Sequence, residues 1–273
     1  MDRTSEQIRE HYEIEKELAS RLRNASKQSR RSLYSLLYDE LYRRVPHHPQ
    51  LAQKASPEEK NRSVAAQMKF LKRFFGSGDV FVEVGPGDCA LALAATRRAK
   101  QVYAIDVSDE ITKASAFPEN FELILSDGCA IPVPPNSVQL VYSNQLMEHL
   151  HPDDAFEQLA NIHRALTPGG IYVCVTPNRL AGPHDISKYF DPVATGFHLR
   201  EYSIGEMKEL FLKAGFSKVR TYIGAKGFFL RFPVLPLVLC EKILEKLPCS
   251  LRRKIAQSAP FRVLLNGRFV GVK

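Results

Sequence analysis

An α/β fold built on a mostly parallel sheet is what this sequence predicts, on three observations. Five short apolar runs, at 80–84, 102–105, 121–125, 138–142 and 170–175, have the length and composition of buried strands. Each ends in glycine or small polar residues, and helical patterns fall between several of them, most clearly over 153–166. Strands alternating with helices make a parallel sheet covered on its faces, and such sheets bind ligands at the carboxyl ends of their strands.

The first 75 residues read as a helical extension that caps the rest. Ile8, Tyr12, Ile14, Leu18 and Leu22 give one helical stripe; Leu33, Leu36, Leu37 and Leu41 give a second. Val45-Pro46-His47-His48-Pro49 breaks the pattern, because proline lacks a donor and restricts its predecessor. A third helix starts at Ser56-Pro57-Glu58-Glu59, with proline and acids in the first turn, and runs to about Phe75 with Val64, Met68 and Leu71 inward. Residues 76–273 form the α/β domain. Its strands end in turn at Gly85, Asp106, Ser126-Asp127-Gly128, Ser143-Asn144 and Thr176-Pro177-Asn178. A long loop follows over 176–201, then a helix at 204–214, a stop at Gly215 and a strand at 216–223. An apolar and basic helical insertion at 228–258 precedes a last strand at 268–272.

Composition sets outer bounds. With 44% hydrophobic and 25% charged residues the chain is globular, not collagenous, mucin-like or wholly disordered. The net charge of +8 hides an asymmetry: +6 over 1–75, −8 over 76–215 and +10 over 216–273. Basic flanks point to an anionic partner. The N-terminus has no apolar run of a signal peptide. The longest apolar stretch, 232–240, is far short of the ~20 residues of a membrane-spanning helix. The five cysteines form no CxxC and no Cys/His cluster, which fits reduced thiols in the cytoplasm.

The strongest local signal is Val82-Glu83-Val84-Gly85-Pro86-Gly87-Asp88-Cys89-Ala90. Glycines at a strand-to-helix turn let backbone approach a ligand closely. Gly85, Gly87 and Ala90 also satisfy the dinucleotide pattern, with Asp106 placed to hold a ribose. Glu83 separates the two readings: a carboxylate there repels a pyrophosphate and attracts a cation. Bland roles exist for each acid, as helix-dipole partner for Glu83 and as caps for Asp106 and Asp127. Together with Asp127-Gly128 and Leu166-Thr167-Pro168-Gly169-Gly170, this order of motifs resembles the class I S-adenosylmethionine-dependent methyltransferases, over roughly residues 75–223, and the GPHDIS and GFHLREY stretches at 182–187 and 196–202 resemble a bacterial subgroup of them acting on small molecules or glycans.

That resemblance implies a Rossmann-like seven-stranded sheet in the order 3-2-1-4-5-7-6, with residues 268–272 as the antiparallel strand 7. It implies S-adenosylmethionine as cofactor and S-adenosylhomocysteine as product. Gly85 and Gly87 would lie against the methionine part, Glu83 would face its ammonium, and Asp106 would hold the ribose hydroxyls. Asp127 would take the adenine amino group, with Val107, Gly128, Asn144 and Gln145 bordering the cofactor. One departure is Cys89 in place of the usual third glycine.

Methyl transfer to oxygen needs an in-line nucleophile and often a base. His149 follows strand 4. The loop 176–201 is too long and aromatic to be a mere connector, and it carries His184, Asp185 and His198. These four are the candidate catalytic residues, the histidines because they titrate near working pH and Asp185 as an orienting carboxylate. His149 and His151 lack a third ligand with metal spacing, so no metal is expected. The acceptor is expected to be an anionic small molecule or glycan, free or lipid-linked. Nucleic acid is the alternative, disfavoured by the absence of Trp and of an aminomethylase Pro-Pro motif. A further alternative is a catalytically silent scaffold, or one touching the inner membrane surface through 228–255, where Phe and Leu alternate with Arg and Lys.

Overall fold

The computed structural model describes residues 3–52, 56–108, 117–225 and 227–273. Three helices open the chain: α1 (Ser5–Asn24), α2 (Lys27–Arg44) and the short α3 (Pro49–Ala52). Then come α4 (Pro57–Leu71), β1 (Val80–Val84), α5 (Ala90–Ala95), β2 (Gln101–Asp106), β3 (Phe121–Leu125) and β4 (Val138–Asn144). They are followed by α6 (Pro152–Ala165), β5 (Leu166–Val175), α7 (Ile204–Lys213), β6 (Lys218–Ala225) and β7 (Phe228–Phe232). Three helices, α8 (Val234–Glu245), α9 (Cys249–Ala256) and α10 (Ala259–Leu265), lead to β8 (Arg268–Val272).

The sheet is Rossmann-like with order β3-β2-β1-β4-β5-β8-β6-β7. Its first five strands are parallel, and β8 runs antiparallel between β5 and β6. The last strand therefore sits where the seven-stranded expectation put it. The correction is an eighth strand: β7, at the start of the expected helical insertion, pairs antiparallel with β6 and forms the sheet edge. Phe228, Phe229, Leu230, Arg231 and Phe232 are β-prone, and only Phe229 is buried, so they pair as an edge hairpin rather than coil.

One core lies on each face. Phe81, Leu140, Tyr142 and Val173 pack with Met68, Phe70 and Leu71 of α4. Val82, Val141, Tyr172 and Cys174 pack with α1, α2, α6 and α7. Capping boxes at Thr4, Ser56 and Ser203 fix three helix starts. In α2 the inward residues are Arg30, Tyr34, Leu37 and Leu41, while Leu36 is exposed, contrary to the stripe read from sequence. The inward face is turned toward polar partners after β3 and β4, so tyrosines and an arginine displace the leucine.

The polar partner is Asp154, in the first turn of α6. Arg30 donates two hydrogen bonds to it, Nε at 2.6 Å and Nη2 at 2.8 Å, and Tyr34 Oη donates a third at 2.7 Å. The Arg30 and Asp154 side chains are 4% and 2% exposed. Burial alone would raise the Asp154 pKa, but Arg30 and Tyr34 hold it below the usual range. Removing one partner of such a pair strands a buried charge, at a cost of roughly 3–5 kcal/mol. Arg30→Met is expected to lower the urea unfolding midpoint accordingly, and Arg30→Met with Asp154→Leu to recover much of the loss. Equal midpoints for wild type and Arg30→Met would show that the pair does not anchor α2.

Candidate active site

The carboxyl ends of β1, β2 and β4 lie side by side at the middle of the sheet. β1 runs into Gly85-Pro86-Gly87, whose glycines have φ of +68° and +55°. A Cβ on Gly85 would come within 3.0 Å of the Leu146 side chain, whereas one on Gly87 would meet open space. Cys89, standing where the resembling family carries glycine, also takes a left-handed φ, +56°. The turn is thus kept and strained, at roughly 1–2 kcal/mol for a residue with a Cβ. Its thiol is buried and pushed up to about 12, so it stays neutral.

Glu83 is only 5% exposed, and its Oε2 has no hydrogen-bond partner. Burial pushes its pKa up to about 8, against a pull from the Ala92 N–H in the first turn of α5. A buried carboxyl with an unsatisfied oxygen is costly unless a cation or donor meets it. Asp106 ties two loops together: Oδ1 accepts from Val107 N–H at 2.7 Å, and Oδ2 from Gly87 N–H at 3.3 Å. Burial raises its pKa in spite of these bonds. At the end of β4, Asn144 and Gln145 are exposed, and Gln145 has φ +55°. A buried carboxyl with one unpartnered oxygen, an open glycine turn and exposed amides therefore share the carboxyl-end side of the sheet, and together they fit a ligand carrying an ammonium and hydroxyls.

Asp127 is more heavily engaged. Oδ1 accepts from the N–H groups of Cys129 and Ala130 at 2.9 and 2.8 Å, and Arg31 of α2 lies 3.3 Å from Oδ2. Although burial opposes it, these partners hold its pKa below the usual range. Gly128, with φ +86°, faces the ring of Tyr34, which a Cβ there would approach to 3.3 Å.

Past β4, three residues converge. Ligand atoms of Glu148, His149 and His198 all lie within 4.8 Å of one another. Glu148 is fully buried; one oxygen accepts from Thr176 Oγ1 at 2.9 Å and the other has no partner. Burial pushes its pKa up to about 7. At His149, Nδ1 lies 2.8 Å from Tyr38 Oη and 3.1 Å from the Phe197 carbonyl. A carbonyl only accepts, so Nδ1 is assigned the hydrogen and Nε2 the lone pair. Burial, then the charge on His198, drops the His149 pKa to about 3, so this ring is neutral at working pH.

His198 is the opposite case. Its ring stands edge-on to His149 at 4.8 Å, and Nδ1 lies 2.7 Å from Glu201 Oε1. Burial would lower its pKa, but the Glu201 hydrogen bond and the nearby Glu148 and Asp185 raise it above the usual value. The orienting carboxylate is therefore Glu201, which the sequence reading passed over; a Glu three residues past a histidine was the available signal. Asp185 accepts from Ser187 N–H at 3.0 Å and Gly196 N–H at 3.0 Å, and so orders the loop. His184 is exposed, with Nε2 3.1 Å from the Asn178 carbonyl, and does not join the cluster. Tyr38 was also missed, although Tyr34, Tyr38 and Tyr42 repeat every four residues on one face of α2.

His198 and Glu201 also line a cavity of about 270 Å³ between the loop after β5 and α9. Arg252 and Arg253 of α9 reach it, with Arg179 and Arg200. Arg179 and Arg200 are paired with Glu206, and Arg179 also with Glu245. Arg253 donates to the Lys188 carbonyl, while the buried Nε of Arg252 has no acceptor.

Residues 82–174 match a sequence family described as a methyltransferase domain. The chain is 31% identical over 142 residues to a Mycolicibacterium smegmatis protein named "Probable S-adenosylmethionine-dependent methyltransferase". That alignment covers 51% of this chain and 52% of the relative, so the chain spans about half its length. It is 28% identical over 159 residues to an uncharacterised methyltransferase of Geobacillus kaustophilus, covering 52% of this chain and 70% of that one. Among solved structures, a chain of the "Complex between the Haloferax volcanii Trm112 methyltransferase activator and the putative methyltransferase" superposes with a TM-score of 0.54 at 17% identity, over 80% of this chain and 94% of that one. The sheet order and the solved structure it resembles give the chain a Rossmann-like methyltransferase fold, and residues 82–174 within it are similar to the methyltransferase-domain family.

Proposed function

We propose that the chain is an S-adenosylmethionine-dependent methyltransferase that methylates an oxygen of an anionic small molecule or glycan, free or lipid-linked. The observation that carries this reading is the buried Glu83 carboxyl, with Oε2 unpartnered, near the end of β1 and paired beside β4, the strand that leads to His149 of the His149–His198–Glu201 cluster. The cofactor brings an electrophilic methyl on a positively charged sulfur. Glu83 would meet its ammonium and Asp106 its ribose hydroxyls, and the Gly85–Gly87 turn would leave room for it. His198 Nε2 takes the proton of the acceptor hydroxyl while Glu201 holds Nδ1. The bound cofactor would supply its methyl group to that oxygen, the carbon–sulfur bond breaking as the carbon–oxygen bond forms, so that the sulfur would be left as a neutral thioether. Burial and the charge on His198 keep His149 neutral beside that proton path, while Tyr38 and the Phe197 carbonyl hold its ring in place. Arg252 and Arg253 receive the anionic group of the acceptor in the 270 Å³ cavity.

Transfer of labelled methyl from the cofactor into a metabolite and lipid extract, with mass identification of the product, tests this reading. A labelled oxygen ester or ether on an anionic product is expected. Arg252→Ala with Arg253→Ala is expected to raise the acceptor KM at least tenfold, since hydrogen bonds to charged groups contribute about 1.5–3 kcal/mol each. Label appearing in RNA, or at nitrogen, would overturn the acceptor assignment.

A further inference from the structure

Helix α8 has two apolar faces, and only one is covered. Leu237, Glu241 and Leu244 point inward and are buried. At about 100° per residue, Leu235, Leu239 and Ile243 fall on the opposite side. They are 65%, 52% and 66% exposed. Lys242 and Lys246 fall on that same outward stripe and are exposed too. The neighbouring edge strand β7 leaves Phe228 and Leu230 72% and 75% exposed, and α9 adds Leu251 at 46%. Among the described residues 13 large apolar side chains are exposed, and six of them lie within 228–251, so the patch is a local feature and not general surface character.

The charge around the patch has one sign. Residues 216–273 contain only two acids, Glu241 and Glu245. Glu241 is buried and accepts from Asn178, Ile204 and Gly205. Glu245 is paired with Arg179. Arg231, Lys242, Lys246 and Lys254 are exposed nearby. A second copy of the chain seated on this face would set these cations against their own images. An anionic bilayer instead accepts apolar side chains between its headgroups while lysine stems carry their charges to the phosphates.

We infer that the outward face of α8, with β7 and the start of α9, docks on a lipid bilayer bearing anionic headgroups. No helix among the described residues is long and apolar enough to cross a membrane, so the contact is peripheral. A short apolar stripe needs a second, basic signal to hold, and both are present here. The inference is independent of methyl transfer, because vesicle binding is read without cofactor or acceptor.

Flotation of the purified chain with vesicles of phosphatidylcholine and phosphatidylglycerol in equal parts, at about 150 mM salt, tests it. The wild type is expected to float with these vesicles and not with phosphatidylcholine alone. Lys242→Glu with Lys246→Glu is expected to weaken binding at least 25-fold, taking about fivefold per cation lost. Leu235→Ser, Leu239→Ser and Ile243→Ser combined are expected to abolish flotation while the thermal midpoint stays within a few degrees, since all three side chains face outward. A wild type that stays with the protein fraction, or a triple variant that floats equally well, overturns the inference. So does a wild-type dimer that the triple variant converts to monomer, which would assign the face to a second copy.

Discussion

Glu83→Gln is expected to weaken S-adenosylmethionine binding by roughly 30-fold or more and to abolish a proton release that accompanies binding to the wild type. In the free protein Glu83 is buried, with a pKa pushed up to about 8, so at pH 7 it is mostly protonated. An ammonium beside it favours the ionised form, and binding therefore expels close to one proton at pH 7. Titration calorimetry in two buffers of different ionisation enthalpy reads that proton directly. Release should fall toward zero above pH 8, and affinity should rise with pH up to the same point. Truncating one partner of a buried charge pair costs about 2–5 kcal/mol, which sets the lower bound on the affinity loss.

The same group makes an independent prediction for the unliganded fold. Its folded pKa lies above its ordinary value of 4.5, so its contribution to stability is fully present below pH 4.5 and is lost as pH rises through about 8. At about 1.4 kcal/mol per pKa unit, the loss is on the order of 5 kcal/mol. Glu83→Gln should therefore be less stable than, or equal to, the wild type in acid and more stable than it above pH 8. Binding with no buffer dependence, or equal affinity in the variant, would remove Glu83 from the cofactor site.

The parts of this molecule that could be read along the chain are those whose chemistry is local. The turn after β1 declares itself by two glycines and a carboxylate within five residues, and the antiparallel last strand by its position after a long excursion. What could not be read depends on partners far apart in sequence. Arg31 reaches Asp127 from α2, and Tyr38 reaches His149 across 111 residues. Neither contact has a local signature, because it exists only once the N-terminal helices lie across the strand ends. Adjacency also misleads: Asp185 stands next to His184, yet the loop folds so that Asp185 holds backbone and Glu201 meets His198. β7 was hidden for another reason. Five residues that serve a strand, a helix face or a membrane surface equally well carry no period long enough to choose.

His198 and Glu201 supply the largest expected effect on turnover. A positioned base contributes about 10²–10⁴ in rate. His198→Ala is accordingly expected to cut kcat by at least 100-fold while cofactor affinity, read by calorimetry, changes less than threefold, about 0.7 kcal/mol. Glu201→Gln separates orientation from basicity, because it keeps a hydrogen-bond acceptor and removes the charge. Above pH 6.5 the wild-type base has to lose a proton from a ring whose pKa Glu201, Glu148 and Asp185 hold up, despite burial. Activity should therefore rise with pH through a value above 6.5. In Glu201→Gln that acid limb should move to lower pH, since a cationic ring without its carboxylate is destabilised. A merely structural role for Glu201 would lower activity at every pH and leave the limb in place. His149→Gln, which keeps a donor for the Phe197 carbonyl, should lose far less than His198→Ala, because a ring held at a pKa of about 3 is too weak a base to accept the acceptor's proton. If His149→Gln proved the more damaging of the two, the base would be His149, and Tyr38 rather than Glu201 would be its positioning residue.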